Sequence, residues 1–211
     1  MSLELVALSV RLGPLGEPLF PPLTLSVPSG DVVTVMGPSG VGKSTLLAMI
    51  GGHLAHGFVG GGRVRLNGRD VTQLPAEARR IGILFQDALL FPHLSVGDNL
   101  AFGLPRQVRG RGARRAAVEA ALDQAGLSGF GDRDPATLSG GQQARAALMR
   151  TLLSDPLALL LDEPFSKLDT ELRSEIRAFV FDHARVRGLP VLLVTHDAGD
   201  AEAAGGPVVT L

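Results

Sequence analysis

Two periodicities alternate along this chain. Leu3 to Val10 switches between apolar and polar positions as a strand does, and Val32 to Met36 is a β-branched run between Gly30-Asp31 and Gly37. Arg63 to Leu66, Ile81 to Phe85, Leu157 to Leu161 and Val191 to Val194 are further runs of strand length. Between them the spacing turns helical. Lys43 to Ile50 sets Leu46, Leu47 and Ile50 on one side, and Leu94 to Leu104, Ala113 to Ala125, Gln142 to Leu153 and Leu172 to Arg187 read the same way. Apolar strands separated by helices predict an α/β fold whose sheet is mainly parallel and covered on both faces. The three successive helices in the middle predict a helical insertion near one end of that sheet. Gly60-Gly61-Gly62 is expected to be a flexible turn.

Composition narrows the classes. With 45% apolar and 19% charged residues over 211 positions, the chain has enough apolar side chains for a core, which excludes a disordered polymer. A net charge of -1 creates no general attraction to nucleic acid, so no nucleic-acid partner is expected. The absence of cysteine excludes disulfides and thiolate-bound metals and fits a reducing compartment. No apolar run approaches the roughly 18 residues of a spanning helix, and Met1-Ser2-Leu3-Glu4 does not begin a signal peptide. Work at a membrane would therefore require other chains. The only lysines are Lys43 and Lys167. Arg106, Arg109, Arg111, Arg114 and Arg115 form the one local charge cluster; it reads as a solvated face or as a docking surface for an acidic partner or lipid headgroups.

Three motifs carry chemistry. Gly37-Pro38-Ser39-Gly40-Val41-Gly42-Lys43-Ser44, continued by Thr45, follows a predicted strand and opens a predicted helix. Glycines there let the backbone curl so that successive N–H groups face a phosphate chain, and the helix dipole adds to the attraction. Lys43 is placed for the β- and γ-phosphates, and the Ser44 hydroxyl for Mg²⁺. Asp162 and Glu163 end the apolar strand, where a parallel sheet presents ligand-binding groups; Asp162 suits a Mg²⁺ ligand and Glu163 a base for water. Ser139-Gly140-Gly141-Gln142 begins a helix with a capping serine and two glycines, which suits a second anion-binding element.

Together with Gln86 and His196, these segments occur in an order that resembles the ATP-binding cassette ATPases over essentially the whole chain. The resemblance implies a P-loop NTPase core of RecA-like type over 1–86 and 157–211, a helical subdomain over 87–156 and a small N-terminal antiparallel β region. It implies that Gln86 approaches Mg²⁺ and the attacking water, and that His196 contacts the γ-phosphate. Ser166 to Asp169 resembles the D-loop, with Lys167 where small residues are commoner. ATP and Mg²⁺ are the implied ligands. Two cassettes of this family pack head to tail, so Ser139, Gly140, Gly141, Gln142 and Asp169 would act in trans, in a homodimer or with a paired cassette subunit.

The segment Phe85 to Leu104 resembles the corresponding region of bacterial importer ATPases of the sugar, polyamine, thiamine and inorganic-ion groups. That resemblance implies membrane permease subunits docked over Phe91, Leu94 and Val96, a solute-binding protein elsewhere in the system, and a cytoplasmic, peripheral location. Two other readings share the motifs: an ATPase coupled to a soluble partner, and a nucleotide sensor that does not hydrolyse. The family's aromatic adenine-stacking residue has no counterpart in Arg11 to Glu17, leaving Phe20 or an aliphatic side chain for that role.

Overall fold

The apolar runs assemble into two sheets. The computed structural model describes residues 1–211, which divide into two units: Met1–Ile83, Leu157–Glu163 and Phe181–Leu211 in the first, Leu84–Pro156 and Pro164–Val180 in the second. In the first unit, strands β1 (Ser2–Leu12), β2 (Leu23–Pro28), β4 (Phe58–Leu66) and β5 (Arg69–Asp70) form an antiparallel sheet in the order β2-β1-β4-β5. Strands β3 (Val32–Met36), β6 (Ile81–Leu84), β7 (Ala158–Asp162), β8 (Val191–Thr195) and β9 (Val208–Thr210) form the other, in the order β6-β7-β8-β3-β9. The pairs β7–β8, β8–β3 and β3–β9 are parallel. Every residue of β8 is buried, as are all but the last of β3 and β7, which explains why these strands are mostly apolar and carry no alternation.

Helix α1 (Lys43–Gly51) contributes Leu46, Leu47 and Ile50 to a core shared by both sheets. The short helices α2 (Ala76–Arg79) and α7 (Ala198–Ala204) also belong to this unit. A mainly parallel sheet beside an antiparallel β region is the α/β arrangement that the sequence predicts.

The glycine triplet is not a flexible turn. Gly60, Gly61 and Gly62 lie inside β4, with Gly60 paired to Val10 and Gly61 to Ser9. The register then shifts between Val6 and Ser9, a bulge whose extra residues are taken up at Ala7 (φ 47°) and Gly62 (φ 85°). A Cβ on Gly60 would overlap Met49 Sδ of α1, and one on Gly62 would overlap Ala7 O. Glycine is required there by close approach rather than by mobility.

The second unit is helical: α3 (Val96–Gly103), α4 (Arg111–Gln124) and α5 (Gly140–Leu153), with α3 packed on both of the others. Val96, Leu100, Leu122, Ala146 and Leu152 are buried among them. Gly103 lets α3 cross α5 closely, since a Cβ there would overlap Arg150 O. Residues 170–180 of α6 (Thr170–Val186) belong to this unit and the rest to the first. Val96 is fully buried, so of the apolar residues expected to line a docking groove it serves the core instead. Phe102, not singled out by the sequence, is 68% exposed and meets Phe91 edge to face at 4.7 Å.

Candidate functional site

Register brings the first unit's functional residues to one edge of the parallel sheet. Met36 pairs with Thr195 and Asp162 with Val194, so the segments that follow β3, β7 and β8 leave the sheet at the same level. That edge is where open α/β sheets bind ligands.

From β3 the chain enters Gly37, Pro38, Ser39, Gly40, Val41 and Gly42. Gly40 and Gly42 have φ of 84° and 100°, and Gly42 is packed so that a Cβ would lie 3.2 Å from Leu19 Cδ1. Gly42 is also the N-cap of α1, with no side chain capping the helix, and no acidic residue stands in its first turn. The N–H groups of Lys43, Ser44 and Thr45 therefore begin the helix without a side-chain acceptor, a configuration suited to phosphate. Lys43 is 5% exposed; its Nζ donates to Gly37 O at 2.9 Å and Pro38 O at 3.0 Å. These bonds lay the ammonium along the inside of the loop it must serve.

Ser44 Oγ donates to Asp162 Oδ1 at 3.1 Å, closing the hydroxyl onto the end of β7. Burial raises the Asp162 carboxyl above its usual range, the Ser44 hydrogen bond lowers it, Glu163 raises it and Lys43 lowers it. A hydroxyl beside an incompletely compensated carboxylate is a hard-oxygen donor set, and these residues fit Mg²⁺. Glu163 follows at φ 47°, an uncommon conformation for a side-chain-bearing residue, with its N–H bonded to Val194 O at 2.9 Å. Glu163 Oε1 lies 3.1 Å from His196 Nδ1 and 3.8 Å from Lys43 Nζ. The carboxylate is thus held between the two other side chains expected at the phosphates.

His196 is itself placed from behind. Thr195 Oγ1 donates to buried Asp200 Oδ2 at 2.9 Å and accepts from Asp197 N at 3.1 Å, while Asp197 caps α7 through the N–H groups of Gly199 and Asp200. This Thr195–Asp200 support was not singled out in the sequence; the capping aspartate after a strand was its available signal.

The second unit holds the remaining predicted residues. Ser139 caps α5 with a complete capping box: its Oγ accepts from Gln142 N and its N–H donates to Gln142 Oε1. Gly140 is exposed, and Gly141 is closely packed, since a Cβ would lie 2.5 Å from Leu172 Cδ1. Gln142 is therefore committed to the cap, and the exposed Ser139-Gly140 backbone forms the open face. Asp169 caps α6, accepting from Leu172 N at 3.0 Å. Gln86 is exposed, directly before Asp87. Phe20 is 3% exposed and belongs to the first unit's core, so its ring is not presented for stacking; Leu12, Leu15 and Leu19 are exposed apolar residues of that region.

Arg79 is a further residue that sequence reasoning missed. Buried at 6% exposure, it donates to Met49 O and Ile50 O at the last turn of α1 and to Leu74 O and Thr72 O. It fixes the far end of the helix whose near end forms the phosphate loop. In sequence it is one arginine of an ordinary Ala-Arg-Arg run.

Comparison with known proteins agrees with this geometry. Residues 20–166 match the ABC transporter family. An uncharacterized ABC transporter ATP-binding protein, YnjD, of Escherichia coli (strain K12) is 53% identical over 181 residues, which are 86% of this chain and 83% of that protein. The Fe(3+) ions import ATP-binding protein FbpC of Rhizobium etli is 42% identical over 191 residues; the match takes in 90% of this chain but only 53% of that longer relative. Among solved structures, the dimeric post-hydrolysis state of the ATP-binding cassette MJ0796 bound to ADP and Pi superimposes with a TM-score of 0.80 at 30% identity, covering 99% of this chain and 94% of the other. A phosphate loop, an acidic strand end and a capped Ser-Gly-Gly-Gln helix, in a chain matched over this length, identify it as a member of the ABC transporter family and an ATPase of the ATP-binding cassette type.

Proposed function

We propose that this chain is the motor subunit of an importer: it binds Mg²⁺-ATP, closes with a second cassette, hydrolyses the nucleotide and passes the motion to membrane permease subunits. The observation that carries the reading is Glu163, held 3.1 Å from His196 Nδ1 and 3.8 Å from Lys43 Nζ beside the phosphate loop. A nucleotide sensor has no use for a carboxylate base in that position.

The loop N–H groups and Lys43 grip the phosphates and carry their charge. Ser44 and Asp162 would hold Mg²⁺, and Gln86 is read as a further ligand; the cation would supply neutralisation of charge on the phosphate oxygens. Glu163 orients a water and takes its proton. His196 fixes the Glu163 carboxylate and faces the γ-phosphate. Ser139, Gly140 and Gly141, with Gln142 behind them, meet the nucleotide of the opposing subunit, and Asp169 lies along the same interface. Because two such sites are related by a two-fold axis, nucleotide acts as the glue between subunits and hydrolysis as its release.

No helix of the chain is long and apolar enough to cross a membrane. On this reading, permease subunits attach it to the cytoplasmic face. FbpC's name ties a relative to Fe(3+) import, which supports the importing direction. The solute is chosen by the membrane subunits and a solute-binding protein. Leu12 or Leu15 packs on the adenine ring.

The test is Glu163→Gln. It should retain ATP binding, lose steady-state turnover and accumulate a dimer on gel filtration with ATP. Turnover equal to wild type would remove Glu163 from the mechanism.

A further inference from the structure

One contact in the helical unit has no role in the chemistry so far described. Lys167 Nζ donates to Asp87 Oδ1 across 80 residues of sequence, both side chains being about half exposed. Lys167 is one of only two lysines in the chain, and the other is Lys43. Asp87 directly follows Gln86, and Lys167 stands two residues before Asp169. The pair thus joins two loops of this unit to which nucleotide chemistry has been assigned.

Each loop is braced without it. The guanidinium of Arg150 donates to Ala88 O at 3.2 Å and Leu89 O at 2.8 Å, holding the segment behind Asp87 through its left-handed turn at Leu89 (φ 46°). On the other side, Leu168 N donates to Phe165 O, Asp169 caps α6, and Arg173 Nη2 donates to Ser166 O and Leu168 O. An ion pair this exposed is a weak strut, and neither loop needs it to fold. What it sets is the separation of the two loops. A lysine suits that role, because its single ammonium on a flexible stem grips one carboxylate oxygen and lets go more readily than a bidentate arginine.

We infer that Lys167 and Asp87 are positioning residues for ATP hydrolysis, forming a latch between the two loops that holds Gln86 in register for the reaction. The inference rests on the reading of Gln86 as a residue that faces the Mg²⁺ and the attacking water. Losing the latch lowers the fraction of molecules with Gln86 in place and leaves the phosphate grip of Lys43 untouched.

The experiment is steady-state ATPase kinetics on the full chain with Mg²⁺-ATP. Lys167→Ala and Asp87→Ala should each lower kcat by about two- to five-fold, the range an exposed charge pair supplies, with KM for ATP and the unfolding midpoint unchanged. The double variant should be no slower than either single one, and the exchange of charges (Lys167→Asp with Asp87→Lys) should restore kcat. In a Gln86→Ala background, Lys167→Ala should have no further effect. Wild-type kcat in both single variants, additive losses in the double, or a Lys167→Ala loss that persists without Gln86 would each overturn the latch. If Gln86→Ala itself turns over like wild type, the assignment of Gln86 fails and the latch with it. If Gln86→Ala is slow and Lys167→Ala is not, the latch alone fails.

Discussion

Removing the Arg79 guanidinium should loosen the phosphate-binding helix from its far end. The N–H groups of Gly52 and His53 both go to Ala48 O, and Arg79 serves the next two carbonyls, Met49 O and Ile50 O, each at 2.8 Å. In Arg79→Met these two buried acceptors lose a charged donor, and stranding a buried acceptor costs about 1–3 kcal/mol. Leu74 O and Thr72 O are only partly buried and can turn to water, so they add little. Against the loss stands relief of the guanidinium's own burial, the cause that lowers its pKa. The balance is a destabilisation of about 3 kcal/mol, dominated by the two helix carbonyls. For a chain of this size each kcal/mol moves the midpoint about 2–4 °C, so the variant should melt about 6–12 °C lower by circular dichroism. Arg79→Lys, with three donors on one head, should fall between the two. A loss of under about 2 °C in Arg79→Met would show that water or a rearranged loop serves those carbonyls equally well, and the anchoring argument would be wrong.

Three further outcomes follow from the same geometry. Burial raises the Asp162 carboxyl, so its folded pKa lies above the unfolded one and stability is lost as pH rises through the folded value; Asp162→Asn should therefore melt higher than wild type at neutral pH without nucleotide while losing ATPase activity, and a lower midpoint would contradict the sign. Gly62→Ala meets both a φ of 85° and a backbone oxygen that the new Cβ would overlap, whereas Gly68→Ala meets a φ of 77° in open space; the first should be destabilised by clearly more than the roughly 1 kcal/mol expected of the second, as urea unfolding will measure. Lys43→Ala should weaken ATP binding at least about ten-fold in a titration with a fluorescent analogue, the loss expected of one charge-assisted contact; unchanged affinity would refute the cradle.

How much of this was legible in the sequence depended on whether a residue's role is local. Gly42 at the start of α1, Ser139 with Gln142 three positions on, and the mostly apolar strands before Gly37 and Glu163 follow from backbone rules within a few residues, and the fold class follows from them. The glycine triplet misled because a turn and a crowded bulge both call for glycine, and only the presence of Met49 and Ala7 distinguishes them. Val96 and Phe102 are both apolar residues of α3, yet one is buried and the other 68% exposed, because α5 and α4 cover only part of that helix. Phe20 reads as an available ring until the core closes over it. Arg79 was invisible for the opposite reason: nothing local distinguishes an arginine that ties down a helix from one in solvent.

The left-handed torsion at Glu163 carries a consequence of its own. In an uninterrupted strand, neighbours such as Asp162 and Glu163 would face away from each other, and one acid would be lost to the opposite side of the sheet. Turning the chain at that single bond lets adjacent carboxylates share a chamber, one toward Ser44 and the other toward His196. The division of labour between them is therefore written in a backbone angle as much as in side-chain chemistry. It also bars valine, isoleucine and threonine from position 163, whose branched Cβ does not tolerate that turn.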